Sequence, residues 1–143
     1  MDPSTMLGPI DYLAPYIAYI VLVLVIVNMA TRHLQHRQHK QAAQSGAESI
    51  TRHQAHLASN VLLVVATFYL LSVDYHGGMV LGVLVIGLII TDFFEVESRA
   101  VELRNGEELE APKAAIFASG LVLLYAFYLS LFFVLEPAWR VVF

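Results

Sequence analysis

Residues 57–94 read LASNVLLVVATFYLLSVDYHGGMVLGVLVIGLIITDFF, and the reading of this stretch decides the fold. Its acids are Asp74 in the middle and Asp92 near the end, and it has no Lys or Arg. A helix needs roughly 20 residues to cross the hydrocarbon core of a bilayer, and about 17 suffice. The stretch is therefore too long for one crossing and right for two. Asp74-Tyr75-His76-Gly77-Gly78 is expected to form the tight turn between them, because glycine accepts backbone angles closed to other residues. Spans at about 57–73 and 79–94 follow, the latter reaching full length when Phe93 and Phe94 are placed at the interface.

Working outward, residues 13–29 form another apolar ladder once Pro15 is taken as a first-turn residue. Tyr12, Tyr16 and Tyr19 share one helical face near its start, as an interfacial aromatic anchor would. A secretory signal opens with basic residues. Here Asp2 and Asp11 precede the apolar run and the first basic residue is Arg32. The run reads as a retained transmembrane helix. The last span covers about 114–135, with Pro112 in its first turn and Glu136-Pro137 as its stop. Trp139 and Arg140 would form a short interfacial tail.

The composition agrees with a membrane protein. The 143 residues are 58% hydrophobic and 14% charged, against roughly a quarter charged in soluble domains. Mean hydropathy is +0.67. The absence of cysteine excludes disulfides, thiolate metal sites and cysteine nucleophiles. A dispersed net charge of −4, with no block of like charges, argues against a nucleic-acid partner. Residues 1–143 are expected to form a single membrane domain.

Sidedness follows from basic residues, which accumulate on cytoplasmic loops. Loop 30–56 holds Arg32, Arg37, Lys40 and Arg52; loop 95–113 holds Arg99, Arg104 and Lys113; of the 8 basic residues, Arg140 alone lies on the other side. The reading is an all-α, four-transmembrane-helix bundle of the cell membrane. Both loops would be cytoplasmic and both termini outside. Ser45-Gly46 is the expected break in the first loop, with helix continuing into water on either side of it. Beyond Thr91 the chain turns amphipathic, with Val96, Ala100 and Leu103 at helical spacing and Glu95 four residues before Arg99. Asn105-Gly106 is a helix stop.

Small residues let helices approach closely in lipid. Gly78, Gly82 and Gly87 in the third span, and Ala114, Ala115, Ala118, Ser119 and Gly120 in the fourth, predict that these two spans pack together. A homo-oligomer through the same faces is the competing use. Asn28, the most polar residue inside the first span, is expected to hydrogen-bond across helices, worth about 1 kcal/mol.

Candidate chemistry gathers at one level. Thr31-Arg32-His33-Leu34-Gln35-His36 is echoed by Thr51-Arg52-His53-Gln54-Ala55-His56. In helices, His33 and His36 share a face, as do His53 and His56. Each pair starts about 6 Å beyond its span, where Asp92 and Glu95 also lie. Imidazoles and carboxylates in this pattern suit zinc or another divalent transition metal. They equally suit a pH-responsive cluster pairing His⁺ with Asp92 or Glu95. The plainer reading is a solvated boundary, with Asp92 and Glu95 paired to Lys113, Arg99 or water. Glu107, Glu108 and Glu110 read as a solvated loop that favours the following helix N-terminus. Asp74 and His76 are too few for a site of their own.

No ionisable residue falls mid-span, where ion pathways and proton relays place them. No glycine–proline break resembles a transporter midplane site, and no nucleophile–base pair or phosphate loop is present. The chain is therefore expected not to be an enzyme, and to have no cofactor beyond that candidate metal.

Thr31-Arg32-His33, His76-Gly77-Gly78-Met79 and Asp92-Phe93-Phe94-Glu95 carry a resemblance to small four-helix membrane proteins of halophilic archaea, a family without an assigned activity. The resemblance runs along nearly the whole chain and implies location and fold. The function expected first is a structural or accessory component that contacts lipid and other membrane proteins. A metal-binding or pH-sensing module using the histidines comes second, and a subunit of a transporter complex third.

Overall fold

The computed structural model describes the backbone of residues 8–142 and the side chains of residues 12–132. A 3-10 helix, Gly8–Tyr16, leads into α1, Ile17–Gln44. Then come α2, Gln54–Val73, α3, Tyr75–Arg104, and α4, Lys113–Val142. Four helices are long and apolar enough to cross a membrane. The described residues contain no strand. The expected all-α, four-span architecture is thus present.

Each helix packs on two others, α1 on α2, α2 on α3, α3 on α4 and α4 on α1, so the four stand at the corners of a square. Hydrogen bonds fix the direction of each. Along α1 and α2, Asn28 meets Ser59, Thr31 meets His56 and Gln35 meets His53, which is an antiparallel hairpin. Glu95 reaches the start of α4 at Ala114, and Ser130 of α4 donates to the Ala18 carbonyl of α1. The bundle runs up, down, up, down. One end carries the loops near Gly46 and Gly106, and is called the long-loop end below. The other carries the Asp74 turn.

The inward stripe of α1 is Ala18, Val21, Val25, Asn28, Arg32, Gln35 and His39, all buried. Alternating steps of three and four are the coiled-coil pattern, which keeps one seam facing its partners. The diagonal helix α3 answers with Gly78, Leu81, Val85, Leu88, Asp92 and Arg99. Near the Asp74 turn the core is apolar, with Val21, Val25, Leu63, Leu70, Leu81, Val85, Val122 and Ala126. The outward faces are equally apolar, carrying Val23, Ile26, Val61, Val65, Phe68, Val83, Ile86, Phe117 and Leu124. An apolar belt around an apolar core is what lipid as solvent requires.

The turn between α2 and α3 corrects the expectation for Gly77 and Gly78. One residue, Asp74, connects the helices, and both glycines lie inside α3. Their φ is not positive; among the described residues that conformation belongs to Gly46 and Gly106, which end α1 and α3. Asp74 caps α3 by accepting from the Gly77 N–H at 3.1 Å. Gly78 is needed for closeness instead, since a Cβ there would run into the Leu71 backbone of α2.

That contact also redirects the small-residue stripe. Gly78 faces Leu71 and Gly82 faces Thr67, both on α2, while Gly87 and Gly120 border open space. α3 does pack on α4, with Gly77 near Leu129, whereas Gly78 and Gly82 lie nearest α2. Spacing alone marks a small face without naming the neighbour that uses it. A second correction concerns Glu136-Pro137. α4 continues through it to Val142. Proline removes one backbone donor, and a membrane helix absorbs that loss locally without stopping.

Candidate functional site

At the long-loop end the same inward stripes turn from apolar to ionic. Asn28, Arg32, Gln35 and His39 of α1, His56 and Ser59 of α2, and Asp92 and Arg99 of α3 are all buried. Arg32 is 1% exposed and Asp92 is 2% exposed, so both charges are out of water. Stripping an ion of water costs several kcal/mol, and only well-placed partners offset that.

Arg32 spans the diagonal. Its Nε donates to Asp92 Oδ1 at 3.1 Å and its Nη2 to Asn28 Oδ1 at 2.7 Å. Asn28, oriented by that contact, donates through Nδ2 to Ser59 Oγ at 3.0 Å and Asn60 Oδ1 at 2.6 Å. The cross-helix bond expected of Asn28 is therefore made. Asp92 Oδ2 accepts from Asn60 Nδ2 at 3.3 Å, and Oδ1 also meets His56 Nε2 at 3.1 Å. Three helices thus meet on one carboxylate.

The two buried histidines differ in what their partners permit. His39 Nε2 faces the Thr51 carbonyl at 2.8 Å, and Arg99 Nε donates to His39 Nδ1 at 3.0 Å. A carbonyl only accepts and a guanidinium only donates. His39 is held neutral, with its proton on Nε2. His56 Nδ1 lies 2.8 Å from Thr31 Oγ1, and the Thr31 hydroxyl is also 3.0 Å from the Asn28 carbonyl. A hydroxyl has one proton to give and can also accept. When Thr31 donates to His56 Nδ1, the ring is neutral. When Thr31 turns to Asn28 and accepts instead, His56 carries both protons. Either state is fully hydrogen-bonded.

Of the six residues read from the sequence, the structure joins His56 to Asp92. His33 is exposed, and His36 and His53 are half-buried, each with a buried Nδ1 that has no partner. Glu95 accepts from the Ala114 and Ala115 N–H groups at 2.8 and 3.1 Å, capping α4. Among the described residues no three His, Asp or Glu side chains gather as a metal-holding group. The pairing expected for Asp92 with Lys113 or Arg99 is replaced by Arg32, His56 and Asn60, because the inward stripe takes positions 32, 35 and 39 rather than 33 and 36. Arg99, expected beside Asp92 or Glu95, donates to His39. Arg32, Gln35 and His39 were missed as site residues. Their signal was there: Arg32 continues the stripe of Val21, Val25 and Asn28.

Two lateral grooves reach this layer from opposite seams. One, about 340 Å³, lies between α2 and α3 and is lined by Asn60, Asp92, Arg52 and apolar residues that include Ile89. Arg52 also sits over the Phe93 ring at 4.7 Å and 3.6 Å from Glu97. The other, about 310 Å³, lies between α1 and the start of α4 and is lined by Arg32, His33 and His36.

A family described as "Domain of unknown function (DUF7313)" matches residues 2–143. The chain belongs to this family. No curated protein and no solved structure matches it. An uncharacterised family is what the sequence resemblance implied, so the DUF7313 chain must be read from its own geometry: four apolar helices of a membrane protein around a charged inner layer.

Proposed function

We propose that this chain is a non-enzymatic accessory protein of the cell membrane that responds to protons through His56. The observation that carries this reading is the Thr31 hydroxyl, which can serve His56 as donor or as acceptor. Proton uptake then needs only a hydroxyl rotation, and no buried group loses its partner. The charge balance changes more than the hydrogen bonds. With His56 neutral, Arg32 and Asp92 cancel. With His56 charged, Asp92 faces two cations, Arg32 from α1 and His56 from α2, and its hold on each is shared. Asn28, Ser59 and Asn60 complete that surrounding.

The change would be felt where α1, α2 and α3 enter the long loops, the side that an excess of basic residues would put in the cytoplasm. A membrane-protein partner resting on those loops would read it. The test is nitrogen NMR of histidine-labelled protein in nanodiscs. The His56 ring is expected to gain its second proton on acidification, and its signals to vanish in His56→Gln. A ring that keeps one state throughout rejects the reading.

A further inference from the structure

We infer that the groove between α1 and α4 is a binding site for a phosphate-type oxyanion. It goes beyond the proton reading and does not depend on it. Three observations support it. The first is a surplus of buried charge. Among the described residues, Arg32 and Arg99 are the buried cations and Asp92 is the buried acid. Asp92 is engaged by Arg32, while Arg99 donates to a neutral histidine. The fully buried cations at this level therefore outnumber the fully buried acids by one; the half-buried Glu95 and Glu102 are the further acids near Arg99, and a bound anion would complete the balance.

The second is a surplus of donors. Arg32 Nη1, Arg99 Nη1, Gln35 Nε2, His36 Nδ1 and His53 Nδ1 are buried without partners. Each guanidinium and amide nitrogen in that set can only donate, so what is missing at this layer is an acceptor. The third is the place. Arg32 and His36 both line the groove, and each has a buried nitrogen without a partner. Arg99 and Lys40 add positive potential at His36. Met29, Pro112 and Ile116 supply apolar walls. At about 310 Å³ the space holds roughly ten waters' volume, room enough for a phosphate group.

A lipid headgroup and a soluble phosphate share this chemistry, and the experiment separates them. Full-length protein in neutral detergent is titrated with inorganic phosphate, and separately with phosphatidylglycerol against phosphatidylcholine. Binding is read by native mass spectrometry and by the thermal midpoint. Ile116→Trp closes the groove without altering charge, at a half-exposed position that tolerates a larger ring; His36→Leu removes one donor. Ile89→Trp, in the opposite groove, is the control.

The expected result is binding of at least one probe, weakened about tenfold or more by Ile116→Trp and by His36→Leu, and retained in Ile89→Trp. Response to inorganic phosphate identifies a soluble anion; response to phosphatidylglycerol alone identifies a headgroup. No binding of either probe, or binding that survives both groove variants, overturns the inference. Failure here leaves the His56 titration untouched, so the two readings fall separately.

Discussion

The two ends of this bundle solve the same problem by different physics. Near the Asp74 turn, helices are held by shape: valines and leucines interdigitate, and Gly78 lets α3 close onto the Leu71 backbone. Toward the long loops, they are held by a carboxylate shared among three helices. Lipid gives apolar helices little reason to associate, so the first kind of contact must rely on packing. Buried charges have no solvent to return to without separating the helices, so the second kind is costly to break. The same contrast separates His39 from His56. One is locked by a donor and a carbonyl; the other has a hydroxyl that can turn.

The comparison breaks most sharply at the ion pair. Asp92→Ala leaves Arg32 buried and unpaired, and a loss of about 3–5 kcal/mol is expected in mixed-micelle unfolding. Replacing both partners, Arg32→Met with Asp92→Leu, should recover most of that stability while abolishing the proton response. If the double variant is as unstable as the single one, the pair is not the unit holding this end.

At the apolar end, Gly78→Ala forces α2 and α3 apart, with an expected cost of about 1–3 kcal/mol. Gly87→Ala and Gly120→Ala meet open space and should be neutral or slightly stabilising, because alanine is the better helix former. Equal effects at all three glycines would contradict the assignment of close packing to Gly78. Smaller still, Asn28→Leu should cost about 1 kcal/mol, the usual scale of an interhelical hydrogen bond in a membrane protein. His33→Ala, at an exposed position, should leave unfolding unchanged within error.

Much of the architecture was legible. Residues 57–94 demanded two crossings whatever their neighbours did, since hydrocarbon thickness sets helix length. Ser45-Gly46 and Asn105-Gly106 end helices in the structure, with Gly46 and Gly106 in the left-handed conformation that glycine tolerates. The site was legible only in part. The sequence reading placed Asp92 and His56 at a common level and expected Asn28 to bond across helices, but it gave Asp92 the partners Lys113 and Arg99 rather than Arg32. Arg32 lies far from Asp92 along the chain and across the diagonal of the square. A pattern of threes and fours shows which residues look inward; it does not say who stands opposite.

The chain's own chemistry therefore determined the solvent, the number of crossings and the breaks at Gly46 and Gly106, because these depend on local hydrophobicity and backbone preference. Tertiary structure alone decided that Gly78 serves α2, that His39 sits between a carbonyl and a guanidinium while His56 sits between a hydroxyl and a carboxylate, and that one carboxylate answers three helices. Those outcomes depend on distances between residues remote in sequence, and in a low-dielectric interior such distances set which charges are tolerated.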